Sequence, residues 1–213
     1  WMKMIEKIYE QLLPSFIPRA MIIHKFSLYQ AHCSYWLSST GRVHSGNEAY
    51  SEAVIHLYKP FSEVESKLQS DVVSIIGQDS CGCAGLKKNG EVVTWGLKFA
   101  GGDSSSVSQH LSEGVKQIRC WVSKVLALKE NGQLIIWGQS SESFPISMKN
   151  DIYDFTSNAN VIVLKQNRVD AIVLDLNGCT YNITFPSSVI KIENSELSSG
   201  FVFLLENGEI HIW

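Results

Sequence analysis

A chain of 213 residues with 18 Lys and Arg against 21 Asp and Glu carries a net charge of −3, which leaves no basic excess of the kind that draws a protein onto nucleic acid. A chain of this length buries about 70% of its unfolded surface, so a packed core is expected. Five cysteines, an odd number, argue for reduced thiols in a protein that is cytoplasmic or delivered to a cytosol, and no apolar run of about 18 residues offers a membrane span.

In chain order, residues 2–13 predict an amphipathic helix: Ile5, Ile8, Tyr9, Leu12 and Leu13 form one stripe, with Lys3, Glu6, Lys7 and Glu10 opposite. The balanced charge of the polar face favours docking onto the rest of the protein, or capping its end, over an anionic lipid surface. Pro14 ends the helix and Pro18 keeps the connection extended, so the expected division is 1–19 for helix and linker and 20–213 for the remainder. Residues 20–29 and 52–59 read as strands on either side of a hairpin at 37–46, LSSTGRVHSG, and Pro60 closes that unit. A connection at 61–71 leads to a strand at 72–75 and a second hairpin at 86–96, LKKNGEVVTWG. The connection at 106–114 matches the earlier one in position, and each carries a leucine peg, Leu68 or Leu111, ahead of the next strand. A strand at 115–118 precedes the third hairpin, 128–138, LKENGQLIIWG. A polar linker is expected over 139–160, followed by strands at 161–163 and 171–174 and a fourth turn within 174–183, LDLNGCTYNI. The last hairpin is 204–213, LLENGEIHIW.

These hairpins form one repeat. Their turn glycines, Gly41, Gly90, Gly132, Gly178 and Gly208, are spaced by 49, 42, 46 and 30 residues, and four of the five turns are Asn-Gly. The first hairpin strand ends in Leu37, Leu86, Leu128, Leu174 or Leu204, and the best second strands end at Trp95, Trp137 or Trp213. Phe26, Ile75, Ile118, Ile162 and Ile192 mark an earlier strand in each unit, 14 to 16 residues before the glycine. Three- to four-stranded units of this length predict an all-β fold, a β-propeller of about five short blades, with a linear β-solenoid as the competing architecture. The absence of any Trp-Asp dipeptide argues against the WD40 type, and Gly101-Gly102 alone is too little for kelch.

Asn-Gly, three or four residues, Trp-Gly, a linker and then Gly114-Val115-x-x-Ile118 resembles the repeat of the regulator of chromosome condensation family. The resemblance runs from Phe26 to the end; Gly46 and Ile183 stand at the tryptophan position, and Thr40 precedes the first glycine. It implies more blades than five. The chain therefore either closes as a five-bladed ring or forms an incomplete ring, completed by further sequence or by self-association with a second copy. It also implies protein partners, among them small GTPases and chromatin. The alternative function it implies is that of a guanine-nucleotide exchange factor or regulator of a Ran-type small GTPase, including a bacterial effector of that kind. No segment here is identifiable as the wedge that such exchange factors insert beside the nucleotide.

Catalysis finds little support. Asp103, Ser104 to Ser106 and His110 supply the residue types of a hydrolase triad, but within an inter-blade linker, where neither a fixed nucleophile–base contact nor an oxyanion hole is expected. Cys81-Gly82-Cys83 is too closely spaced for a zinc pair, and the six histidines show no ligand pattern, so neither metal nor cofactor is expected. With the turn glycines at one end of the units, the loops joining first and second strands gather at the other. Those loops contain His32, Asp79, Arg119, Trp121, Gln166 and Glu196. Their dissimilarity beside similar strands is what a binding face on a rigid frame would show. Trp121 either anchors a partner there or folds back onto its own blade. The repeated Trp95, Trp137 and Trp213 predict blade-to-blade packing. The reading is a non-catalytic protein–protein interaction scaffold.

Overall fold

The Asn-Gly pairs act through two separate requirements. At the second hairpin the Gly90 N–H donates to the Lys87 carbonyl (2.9 Å), the Lys87 N–H donates to Glu91 (2.9 Å), and Asn89 Oδ1 accepts the Glu91 N–H (3.0 Å). Only the glycine has positive φ, +80°. The turn is therefore a type I turn closed by a glycine bulge, with asparagine recruited as a side-chain acceptor rather than for left-handed backbone. Asn131-Gly132 and Asn207-Gly208 repeat the arrangement.

The computed structural model describes residues 21–26, 32–46, 55–77, 82–139, 149–194 and 200–213. The expected helix at 2–13 lies outside the described residues. Five antiparallel sheets follow in sequence. Blade 1 holds β1 (Met21–Phe26), β2 (His32–Leu37) and β3 (Val43–Ser45). Blade 2 holds β4 (Tyr58–Lys59), β5 (Val72–Gly77), β6 (Cys83–Lys87) and β7 (Val92–Leu97), in the order β4-β7-β6-β5. Blade 3 is β8 (Val115–Trp121), β9 (Lys124–Lys129) and β10 (Leu134–Gly138). Blade 4 is β11 (Ile152–Ser157), β12 (Val161–Lys165), β13 (Asp170–Leu174) and β14 (Thr180–Thr184). Blade 5 is β15 (Val189–Asn194), β16 (Phe201–Leu205) and β17 (Ile210–Ile212).

First strands contact one another in chain order, β1 with β5, β5 with β8, β8 with β11 and β11 with β15. Every strand pairing between described residues is antiparallel and stays within a sheet. That pattern is a β-propeller of five short blades and excludes a solenoid, in which strands would pair from repeat to repeat.

Four apolar cores lie between the five sheets, one per joint. The second is typical: Ala84, Leu86 and Val92 of blade 2 face Val115, Ile118, Val125, Ile135 and Trp137 of blade 3. Alternation along each strand sends one set of side chains onward and the other back, so both faces of a middle blade are buried. Trp95 and Trp137 are 0% and 1% exposed, each packed into the joint with the preceding blade, and the leucine pegs Leu68 and Leu111 are buried beside them.

A second interaction repeats at the joints. The N–H that opens each new first strand donates to the turn residue of the blade before: Val72 to Gly41 (2.9 Å), Val115 to Gly90 (3.2 Å), Ile152 to Gly132 (3.0 Å) and Val189 to Arg168 (2.7 Å).

That last pair corrects the fourth unit. Its turn is Lys165-Gln166-Asn167-Arg168, with Asn167 Oδ1 accepting the Val169 N–H (3.1 Å) and Arg168 at φ +60° in the glycine place. Residues 164–168, LKQNR, are thus the true copy of LKENG. Gly178 instead turns β13 into β14 at the sheet's outer edge, and Leu164 takes the position expected for Leu174. Leu174, opposite Val161, stands in the tryptophan place that Trp137 occupies opposite Val125. Residues 152–157, expected within a linker, form the first strand, and Phe155 rather than Ile162 is the counterpart of Ile118. In blade 1 the register likewise puts Ile22, opposite Trp36, in the position expected for Phe26. Within the strand expected at 52–59, the described residues 55–59 differ from expectation: a 3-10 turn at Ile55–Leu57 leads into β4, whose Tyr58 pairs with Leu97, so β4 edges blade 2 instead of blade 1.

Candidate partner-binding surface

Of the six residues expected to form one loop face, His32, Arg119, Trp121 and Gln166 lie among the described residues, and these four are not brought together. Arg119 and Trp121 belong to β8 itself, and the loop beyond them is Val122 and Ser123. Trp121 is 6% exposed, sits in the core between blades 3 and 4, and donates its indole N–H to the Ala159 carbonyl at 3.0 Å. Lys124 Nζ lies 5.1 Å from its ring centre. It is an anchor, but for the next blade of its own chain. Gln166 lies at the turn end, where its amide donates to the Ile152 carbonyl (2.8 Å). In blade 4 the loop between first and second strands is 158–160 instead, where Asn158 Oδ1 accepts the Asn160 N–H (3.0 Å). His32 opens β2 at the end that β8 points to, while Asp79 and Glu196 lie outside the described residues.

The serine-rich linker does not assemble a triad among the described residues. Ser104 Oγ pairs with Thr94 Oγ1 (2.9 Å), and Asp103 accepts the Ser105 N–H (2.9 Å), a bond that holds its carboxyl below the usual range. Cys83 and Cys120 are buried and Cys179 is exposed, while Cys81 lies outside the described residues. No group of three metal-ligating side chains occurs among the described residues, and no described helix is long and apolar enough to cross a membrane.

What the sequence reading missed is the distribution of exposed apolar side chains. Seven of the eleven exposed large hydrophobics among the described residues fall within 176–213: Leu176, Tyr181, Ile190, Val202, Ile210, Ile212 and Trp213. Position along the repeat explains why this is unusual. Ile210 and Ile212 correspond to Leu134 and Ile136 of blade 3, which are covered by blade 4, and Trp213 corresponds to the buried Trp95 and Trp137.

The surface is held rigidly. Trp213 rests against Phe201 and Tyr181, with ring centres 6.0 and 6.2 Å apart, and its backbone exchanges two 2.9 Å hydrogen bonds with Phe201. Tyr181 Oη donates to Asp175 (3.2 Å), a bond that pushes the phenol up; the Cys179 N–H at 2.9 Å is the chief reason the Asp175 carboxyl is held down. Lys191 and Glu193 pair at 2.8 Å, and the carboxylate pushes the ammonium up. The turn of the same blade carries Glu206 and Glu209, with Glu209 3.6 Å from His211.

No family model matches the chain, and no curated protein does. Solved structures do. The CRINKLY WD40 ectodomain of the Arabidopsis thaliana receptor kinase ACR4 is 10% identical, with 85% of this chain on 65% of that one at a TM-score of 0.46. BBS1N, solved in complex with ARL6DN, is 11% identical, with 94% on 53% at 0.30. A streptogramin B lyase is 12% identical, with 88% on 63% at 0.32. The chain spans half to two thirds of these structures, and likeness at this level carries no functional argument.

Proposed function

We propose that the chain is a non-catalytic protein–protein interaction module built on a repeat β-propeller, and that its principal contact surface is the last blade together with β14. The observation that carries this is the exposure of Ile210, Ile212 and Trp213, at 64%, 80% and 40%, where the same repeat positions in blades 2 and 3 are covered. Apolar exposure concentrated in this way marks a surface that is covered in the working assembly, and Trp and Tyr are the residue types that dominate interface energetics.

Affinity capture with wild-type protein and with an Ile210→Asp, Ile212→Asp variant tests the reading. The expected result is a partner retained by the wild type and lost by the variant, with folding intact by circular dichroism; partners unchanged in the variant would refute the surface.

The resemblance to the regulator of chromosome condensation repeats keeps a small-GTPase partner as the second reading. The Asn-Gly and Trp-Gly turns that carry the resemblance form equivalent positions in blades 2 and 3. Nucleotide exchange measured on a panel of small GTPases separates the two, because a scaffold leaves every rate unchanged.

A further inference from the structure

Each of the first four blades ends in the same half-joint. Apolar side chains on its second and third strands face onward, and the carbonyl of its turn residue accepts the N–H that opens the next blade, at 2.7 to 3.2 Å. Blade 5 carries that half-joint with no mate among the described residues. Val202, Leu204, Ile210 and Ile212 occupy the onward positions by register, yet Ile212 is 80% exposed. The Gly208 carbonyl accepts no N–H among the described residues, and a Cβ built at Gly208 would meet nothing within 4 Å. At Gly90 the same Cβ would lie 2.4 Å from the Gly114 nitrogen of the following blade.

We propose that this face docks a further β-sheet blade of the chain's own repeat type. The inference rests on the reading of 176–213 as an interaction surface and names its occupant. The occupant is an antiparallel sheet that lays branched or aromatic side chains over Val202 to Ile212 and gives a strand-opening N–H to the Gly208 carbonyl. Two observations select a blade over other covers. Lys191 and Glu193, the ionic pair on the same side of β15, satisfy each other at 2.8 Å, so the strand positions that face onward leave no unpaired charge for a charged ligand. An amphipathic helix could cover the apolar side chains, but its backbone donors beyond the first turn are spent internally, leaving the Gly208 carbonyl unmet.

The test appends a copy of residues 96–138 directly after Trp213. In the native chain that segment follows Trp95, the counterpart of Trp213, and supplies blade 3. Amide exchange across 201–213 is expected to slow by about tenfold or more in a fusion that sediments as a monomer. A Val125→Asp change within the appended copy is expected to abolish the slowing. A copy of residues 138–174, which follows Trp137 in the same way, serves as a second fusion. The proposal is overturned if either copy folds, by protection of its own amides, while 201–213 exchanges as before, or if neither copy folds at this position. It is also overturned if the unmodified chain already protects 201–213 through residues 1–19, shown by faster exchange on their deletion. Loss of partner capture by the Ile210→Asp, Ile212→Asp variant alongside an unprotected fusion would remove the blade alone, whereas unchanged capture would remove the interaction surface itself.

Discussion

The Val189 N–H donates to the Arg168 carbonyl at 2.7 Å, the same joint that Val115 makes with Gly90 and Ile152 with Gly132. An arginine therefore stands in a left-handed position that the four other blades reserve for glycine. Its guanidinium offsets the strain by donating to the Val189 carbonyl (3.1 Å) and stacking 5.1 Å from the Tyr153 ring.

The turn glycines are predicted to differ in what they tolerate. Gly208→Ala adds only the left-handed strain, about 1 kcal/mol, because nothing lies near the new methyl. Gly90→Ala adds the same strain and a collision with backbone at 2.4 Å, so the expected loss exceeds about 3 kcal/mol. Urea unfolding of the two variants measures the difference.

The two buried tryptophans are predicted to differ at their indole nitrogens. Trp137 Nε1 donates to the Gly101 carbonyl at 2.8 Å, whereas Trp95 Nε1 has no partner among the described residues. Trp137→Phe should cost about 1–2 kcal/mol more than Trp95→Phe, since only the former strands a buried carbonyl. Thermal unfolding compared at one pH checks this.

Trp121→Ala is expected to act on stability. The side chain fills the joint between blades 3 and 4 and ties down Ala159, so its removal should cost about 3–5 kcal/mol in chemical denaturation. Wild-type stability in this variant would show that Trp121 faces outward.

Asp154 supplies a pH signature. Burial pushes its carboxyl up, against a smaller opposing effect of the Phe155 N–H that donates to it at 2.8 Å. With the folded value above the unfolded one, the native state binds the extra proton between them, so this group's contribution falls as pH rises through that window. Asp154→Asn keeps the acceptor and removes the buried charge. The variant is expected to be more stable than wild type above the carboxylate range and to lose that advantage in acid, as read from unfolding midpoints across pH.

Three blades were legible in the sequence because glycine, asparagine and tryptophan mark steric and hydrogen-bonding needs that few other residues meet. The fourth was misplaced by about ten residues for the converse reason. Arg168 fills a glycine position through contacts that only the fold reveals, while a true Asn-Gly at Gly178 marks an extra edge hairpin. Trp121 was legible as an anchor but not as an internal one, since its acceptor, Ala159, is 38 residues away in a segment that read as linker. The exposed face of blade 5 was hidden because Ile210 and Ile212 spell the same pattern as their buried counterparts; only the neighbour decides which they are.

Residue-resolved amide exchange by NMR tests most directly that one joint is repeated through the array. The account predicts slow exchange at Val72, Val115, Ile152 and Val189 together, close to the rate of global unfolding. Rapid exchange at Val189 while Val115 stays protected, or protection centred on Gly178 in place of Arg168, would contradict it.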